Sequence, residues 1–170
     1  MDGPGPDERA VEAVLTASRA MIAVATRSLG AAAEETTIAQ YRTLVVLASR
    51  GPQRMVDLAS ALGVAPSTAG RMCDRLVRRG LIRRQRARTD RRVVLVSITA
   101  AGRVVVDGAT ERRRALIGSI LSRVPRHTQN SIAEALRVFA EASGEVPESQ
   151  WPDDPGRAAV AGAAAAARPL

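Results

Sequence analysis

The chain contains no lysine: all 25 of its basic residues are arginine. Codon bias of the kind found in GC-rich genomes is a sufficient explanation, so the absence excludes no chemistry. A single cysteine, Cys73, excludes an internal disulfide and agrees with a reducing compartment. One Trp, one Tyr and one Phe supply no aromatic box for a ligand and little surface on which to stack bases. His127 is the only histidine, with no second His and no Cys beside it, so no metal site is expected. No apolar run reaches the length of a membrane span, and stretches such as Val104–Val106 are soon interrupted by charge. The opening MDGPGPDERA lacks the basic-then-apolar layout of a secretory signal. No nucleophile with a base, paired carboxylates or phosphate loop stands out, so neither an enzyme nor a cofactor is expected. The chain reads as a soluble cytoplasmic protein, and 170 residues suffice for one domain with a sizeable core.

What is present is charge in one place. Between Arg50 and Arg92 there are 12 arginines against Asp57, Asp74 and Asp90, whereas the remainder has 13 arginines against 14 acidic residues. One segment therefore carries the whole positive field of a chain whose net charge is +8. Its partner is polyanionic, either nucleic acid or an anionic membrane surface.

The order of elements separates these two. Residues 1–6 are rich in Gly and Pro and are expected to be loose. Apolar residues from Val11 to Leu29 recur at helical spacing, predicting an amphipathic helix over 7–33. Further helices are predicted over 37–49, 55–62 and 66–79, the second stopped by Gly63 and the third by Gly80, with Leu81 folding back as an apolar partner. Residues 81–87 and 93–98 read as two strands around an arginine-rich turn. Thr99 caps a helix running to about 123, Pro125 breaks it, and a last helix spans 126–142. Beyond Gly144 the chain is rich in Pro, Ala and Gly, so 144–170 is expected to be a disordered tail in which Trp151 has no evident partner. The fold class expected is mainly α with a small β-wing.

On a helical wheel of 66–79, Ala69, Met72, Cys73 and Leu76 fall on one side. Ser67, Arg71, Asp74 and Arg78 centre on the other, with Arg75 at its edge. A helix entering a DNA major groove needs this division: one side packs, while hydroxyls and N-terminal N–H groups take phosphate and Arg reaches guanine O6 and N7. The alternative is a solvated, arginine-rich surface helix. The turn RTDRR weighs against it. Arg88, Arg91 and Arg92 repel one another in water but are stabilised between phosphates, and an arginine in the minor groove meets the most negative potential on the duplex. Asp90 can aim one guanidinium through a bidentate pair. A plain polar turn would explain Asp90 but not the three arginines. A membrane-surface helix would need a bulky exposed apolar face, which this arginine-rich helix lacks.

Residues 57–103 carry D-L-A-x-x-L-G-V, S-T-x-x-R-x-x-D-R-L, G-L-I-x-R, D-R-R and T-x-x-G-R in that order. They resemble the MarR/SlyA family of winged helix-turn-helix regulators, whose layout of flanking helices agrees with 7–143. The resemblance implies a winged unit over about 37–99 and dimerisation helices over about 7–33 and 100–142. It further implies a homodimer with interlocking terminal helices, each subunit reading half of a pseudo-palindromic operator. Regulation of transcription follows, usually as repression relieved by a small ligand or by oxidation. By the same resemblance Ser67, Thr68, Arg71 and Arg75 meet the major groove. Arg92 is the wing-tip arginine, oriented by Asp90, with Arg88 and Arg91 on phosphates. The sequence departs from the pattern at Ala65, where a capping Ser or Asp is usual, and at Arg54–Met55, where no Ser or Thr cap precedes the helix.

Dimerisation is also expected without the family. Val105, Leu116, Ile117, Ile120 and Leu121 add more apolar surface than a small winged domain can cover, and packing among the three long helices of one chain is the alternative. The oxidation-sensing branch of the family uses a cysteine in the first helix, where this chain has none. Cys73 lies on the packed side of its helix and reads as a small buried hydrophobe. Tyr41, Arg42, Arg19 and Arg27 can contribute to an anionic-ligand pocket or serve ordinary surface and core roles. Double-stranded DNA, a second copy of the chain and a small-molecule effector are thus the partners considered. The competing function is a non-specific architectural DNA-binding protein, which salt dependence does not separate from a regulator because both neutralise phosphates.

Overall fold

The computed structural model describes residues 5–30, 36–87 and 92–152. Among these the chain forms six α-helices and a three-stranded antiparallel sheet: α1 (Glu8–Leu29), α2 (Ile38–Arg50), β1 (Gln53–Arg54), α3 (Met55–Leu62), α4 (Pro66–Arg78), β2 (Ile82–Arg86), β3 (Val94–Ile98), α5 (Ala100–Leu121) and α6 (Arg126–Ala142). The expected class, mainly α with a small β-wing, is the observed one. β1 was not anticipated. Two residues between Pro52 and a helix have no periodicity to detect; they become a strand by pairing Gln53 with Val96 and Arg54 with Leu95, which puts β3 at the centre of the sheet.

The core is built by the middle of the chain. Leu44 and Leu47 of α2, Leu58 of α3, Leu76 of α4, Ile82 of β2, Val96 of β3 and Val106 of α5 are all buried in one cluster. At about 25 cal/mol per Å² of apolar surface, this cluster dominates the favourable side of folding. Local signals agree with it. Thr37 and Gln40 form a reciprocal capping box at the start of α2. After α4, the N–H of Gly80 donates to the carbonyl of Val77 at 2.9 Å and that of Leu81 to the carbonyl of Leu76 at 3.0 Å. With Gly80 at φ +68°, these two bonds complete a Schellman stop, as the G-L pair predicts.

The T-x-x-G-R motif joins the wing to α5. The Thr99 hydroxyl accepts from the N–H of Gly102 at 3.1 Å and donates to the carbonyl of Gly80 at 2.6 Å. Gly102 lies so close to the turn that an added Cβ would stand 2.1 Å from the Leu81 carbonyl oxygen. Arg103, 4% exposed, donates to the carbonyl of Ala48 across the core.

The outer helices behave differently. α1 buries Val24, Ser28 and Leu29 at its C-terminal end, while residues 8–23 are exposed. Arg112 of α5 secures that end by donating to the carbonyls of Ser28, at 2.7 Å, and Leu29. α6 buries no residue at all. Residues 144–152, expected to be loose, instead fold back. They include a 3-10 turn at Glu148–Gln150, and Trp151 packs against the core cluster while its indole N–H donates to the carbonyl of Val146 at 2.9 Å. Composition alone misled there, because the segment's order comes from contacts with α2 and α5. Residues 1–4 and 153–170 of the expected loose ends lie outside the described residues. Among the described residues no helix is long and apolar enough to cross a membrane.

Candidate nucleic-acid interface

α4 has the two faces that its spacing predicts. Ala69, Cys73 and Leu76 are buried, and Met72 is half-buried beside them. Ser67, Arg71, Arg75 and Arg78 are exposed, with Thr68 half-buried behind them. Pro66 occupies the first turn and Ala65 precedes it with no side-chain cap. The early N–H groups of α4 therefore have no side-chain acceptor from the N-cap position, and an anion placed there meets the positive end of the helix. Arg71 donates to the Thr68 hydroxyl at 3.2 Å, one turn back, which holds its guanidinium along the outer face.

Asp74 departs from the wheel. It is half-buried and accepts from Arg84 of β2 at 2.7 Å, so it braces the wing against α4. The pair was not legible in the sequence: the partners sit on different elements, and nothing in the spacing from 74 to 84 announces contact. Arg83, Arg84 and Arg86 of β2 are exposed as well, and Arg83 donates to the Ser97 hydroxyl of β3 at 3.3 Å. Three arginines within IRRQR, in a strand beside the expected recognition helix, were the available signal for a wider basic surface. The wing strands pair in register from Ile82–Ile98 to Arg86–Val94, and the N–H of Ala87 donates to the carbonyl of Val93 beyond them. Arg92 is exposed at the far end of the wing. Arg88, Asp90 and Arg91, the other residues expected to act there, lie outside the described residues.

α3 supports α4 from behind. Its N-cap position, Arg54, has no capping side chain, as expected. Arg54 instead grips Asp57 through two bonds, of 2.6 and 2.9 Å. This hydrogen bonding holds the Asp57 carboxyl below its usual range and raises the already high value of Arg54. Asp57 thus keeps its charge near the positive end of α3.

The remaining candidates separate. Burial pushes the Cys73 thiol up, so thiolate is scarce and the residue acts as a small core hydrophobe. Among the described residues no group of three His, Cys, Asp or Glu side chains is arranged to hold a metal ion. Tyr41 is buried with the Arg113 guanidinium 5.2 Å from its ring centroid. Arg42 pairs with Glu145, and Arg19 donates to Thr16 on its own helix. Arg27 is exposed in the last turn of α1. The anionic-ligand pocket considered for these residues thus gains no support from their contacts. Arg113, which the sequence did not single out, instead lines an apolar cleft of about 290 Å³ with Met21, Ile22, Val24 and Ala25.

Known proteins share this architecture. Residues 36–94 match the model of the MarR family. The chain is 30% identical over 114 residues to the HTH-type transcriptional repressor MdtR of Bacillus subtilis, covering 67% of this chain and 73% of that one. Across the curated relatives it matches, the chain spans between 64% and 73% of their length. Among solved structures, RV1404 of Mycobacterium tuberculosis is 40% identical with a TM-score of 0.77, over 85% of this chain and 99% of that one. The transcriptional regulator Tm0710 of Thermotoga maritima is 27% identical with a TM-score of 0.62, over 79% and 94%. A basic two-faced helix beside an arginine-bearing wing, and these likenesses across the whole fold, lead to one conclusion: the chain belongs to the MarR family of winged helix-turn-helix transcriptional regulators, which are not enzymes.

Proposed function

We propose that the chain is a cytoplasmic repressor that binds a pseudo-palindromic operator as a homodimer. α4 enters the major groove and the wing enters the adjacent minor groove. The observation that carries this reading is the division of α4: Ala69, Cys73 and Leu76 anchor it in the core while Ser67, Arg71, Arg75 and Arg78 stand in solvent. An exposed arginine row on a rigidly packed helix is suited to bidentate contact with guanine. Thr68 supports Arg71 and takes phosphate. Arg92 reaches the minor groove, with Arg88 and Arg91 on phosphates and Asp90 orienting the tip.

Two-fold pairing is supported by what one chain leaves uncovered. Val11, Val14, Leu15 and Ile22 of α1, and Leu136 and Phe139 of α6, are all exposed. Soluble monomers rarely leave so much contiguous apolar surface in water. Pairing through these helices sets two recognition helices about 34 Å apart, one turn of DNA. The likeness to a protein named a repressor favours repression, and a small-molecule effector would act by shifting the two winged units relative to each other.

The test is selection of duplexes from a random pool, followed by footprinting of the winning site against a shuffled competitor at matched salt. A protected region with two-fold symmetry, preferred by about 10³ or more, is expected. Equal affinity for both duplexes would overturn the regulator reading in favour of an architectural protein. Within the winning site, Arg71→Ala is expected to relax discrimination at one base pair per half-site by about 1–3 kcal/mol.

A further inference from the structure

α6 buries nothing within its own chain, yet both of its ends are tied down. At the start, Gln129 donates through its amide to the carbonyls of Leu121, at 3.0 Å, and Val124, at 2.8 Å, which fixes α6 to the end of α5. At the far end the chain turns back over α2. Glu145 pairs through both carboxylate oxygens with the Arg42 guanidinium. Arg50, two turns further along α2, donates to the carbonyl of Gly144 at 3.2 Å. Glu148 then reaches Arg114 of α5 at 3.4 Å, and Trp151 packs onto the core.

We propose that residues 144–152 are a strap that holds the winged unit in a fixed orientation on the α5–α6 arm, with Glu145 and Trp151 as positioning residues for DNA reading. The contacts join the strap to two helices and to the core. Arg42 and Arg50 belong to α2, which lies in the core beside α3 and the wing strand β3. Arg114 belongs to α5, which leads to α6. The path α2–strap–α6–α5 is therefore closed, so a shift of α6 is transmitted to the helix that supports the recognition unit. The inference rests on the operator-binding reading above. It adds that a free strap lets the winged unit sample orientations that must be given up when both half-sites dock, and that ordering costs affinity.

The pair is partly exposed, with side chains 39% and 44% accessible, so each protomer is expected to lose only about threefold on release. Two protomers on one operator then lose about tenfold. The experiment uses the full-length chain, with Glu145→Gln and the charge-preserving swap Arg42→Glu with Glu145→Arg. Trp151 is the only tryptophan, so acrylamide quenching of its fluorescence reads the strap directly. Spin labels on Ser60→Cys of α3 and Ala133→Cys of α6 read the orientation, since buried Cys73 resists labelling.

Glu145→Gln is expected to expose Trp151, broaden the distance distribution and weaken the selected duplex about tenfold, with only a small fall in the unfolding midpoint. The shuffled duplex should lose nothing, because removing a carboxylate favours polyanion binding. The swap should restore all three readouts. An unchanged distance distribution overturns the strap whatever the DNA result. A broadened distribution with undiminished specific affinity overturns its role in DNA reading. Wild type binding both duplexes alike defeats the operator reading and, with it, that role, while the distance measurement still decides the strap.

Discussion

The winged unit and the outer helices spend their apolar residues in opposite ways. From Tyr41 to Val106, nearly every large side chain on a packed face is buried, and α3, α4 and the sheet close over one cluster. In α1 and α6, Val14, Leu15, Ile22, Leu136 and Phe139 repeat at the same helical spacing but remain in water. The periodicity is alike; the available partner is not. An amphipathic pattern specifies that a face will be covered, and leaves open whether the same chain or another supplies the cover. α6 holds its shape locally through Arg137, which bonds Glu134 at i−3 and Glu141 at i+4, both at 2.7 Å. Such fully exposed pairs are screened by water and add little to stability.

The sharpest way to break the comparison is a matched truncation. Leu58→Ala in the winged core is expected to lower stability by about 2–5 kcal/mol in urea unfolding at every protein concentration. Phe139→Ala should cost less than about 0.5 kcal/mol in dilute protein and progressively more as concentration rises. Equal, concentration-independent losses would mean that α6 is covered by its own chain. Gly102→Ala comes next. Its methyl group would collide with the Leu81 carbonyl, and about 1–3 kcal/mol should be lost although alanine favours helices. A neutral or stabilising result would show that the wing moves freely on α5.

A smaller effect is expected at the brace between the wing and α4. Asp74→Asn breaks the ion pair to Arg84, whose side chains are 48% and 42% exposed, and should shift the unfolding free energy by less than about 1 kcal/mol. The smallest effect concerns pH. Arg42 bonding holds the Glu145 carboxyl below its usual range, with Arg50 adding a second positive charge and burial opposing both. A depressed carboxylate stabilises the folded state fully above its unfolded value, near about pH 4.3, and the contribution disappears as pH falls through the lower folded value. Trp151 quenching should therefore rise with acid below about pH 4 in wild type. In Glu145→Gln that step should be absent, with quenching already high at neutral pH.

Much of the fold was legible because its signals are local. Gly63 and Gly80 stop α3 and α4, Thr99 starts α5, and alternating burial along α4 follows from its spacing. α1 ends at Leu29, earlier than periodicity alone suggested, because Gly30 takes φ +54° and Arg112 binds the last carbonyls. Of the interface, the exposed arginines of α4 were legible and the Asp74–Arg84 brace was not. Sequence spacing reports which face a residue occupies on its own element, not which residue of another element lies opposite. β1 and Trp151 were missed for the same reason: a two-residue strand and a proline-flanked tryptophan acquire structure only from distant partners.

The sequence by itself therefore determined the helices, their stops, the two faces of α4 and the concentration of arginine around the wing, since each depends on neighbours within a few residues. Only the tertiary structure decided that β3 sits between β1 and β2, that Gly102 must lack a side chain, and that Glu145 and Trp151 return to α2 and the core. Those features need residues far apart in the chain to meet, 103 positions apart for Arg42 and Glu145, and the chain writes no periodic signal for such meetings.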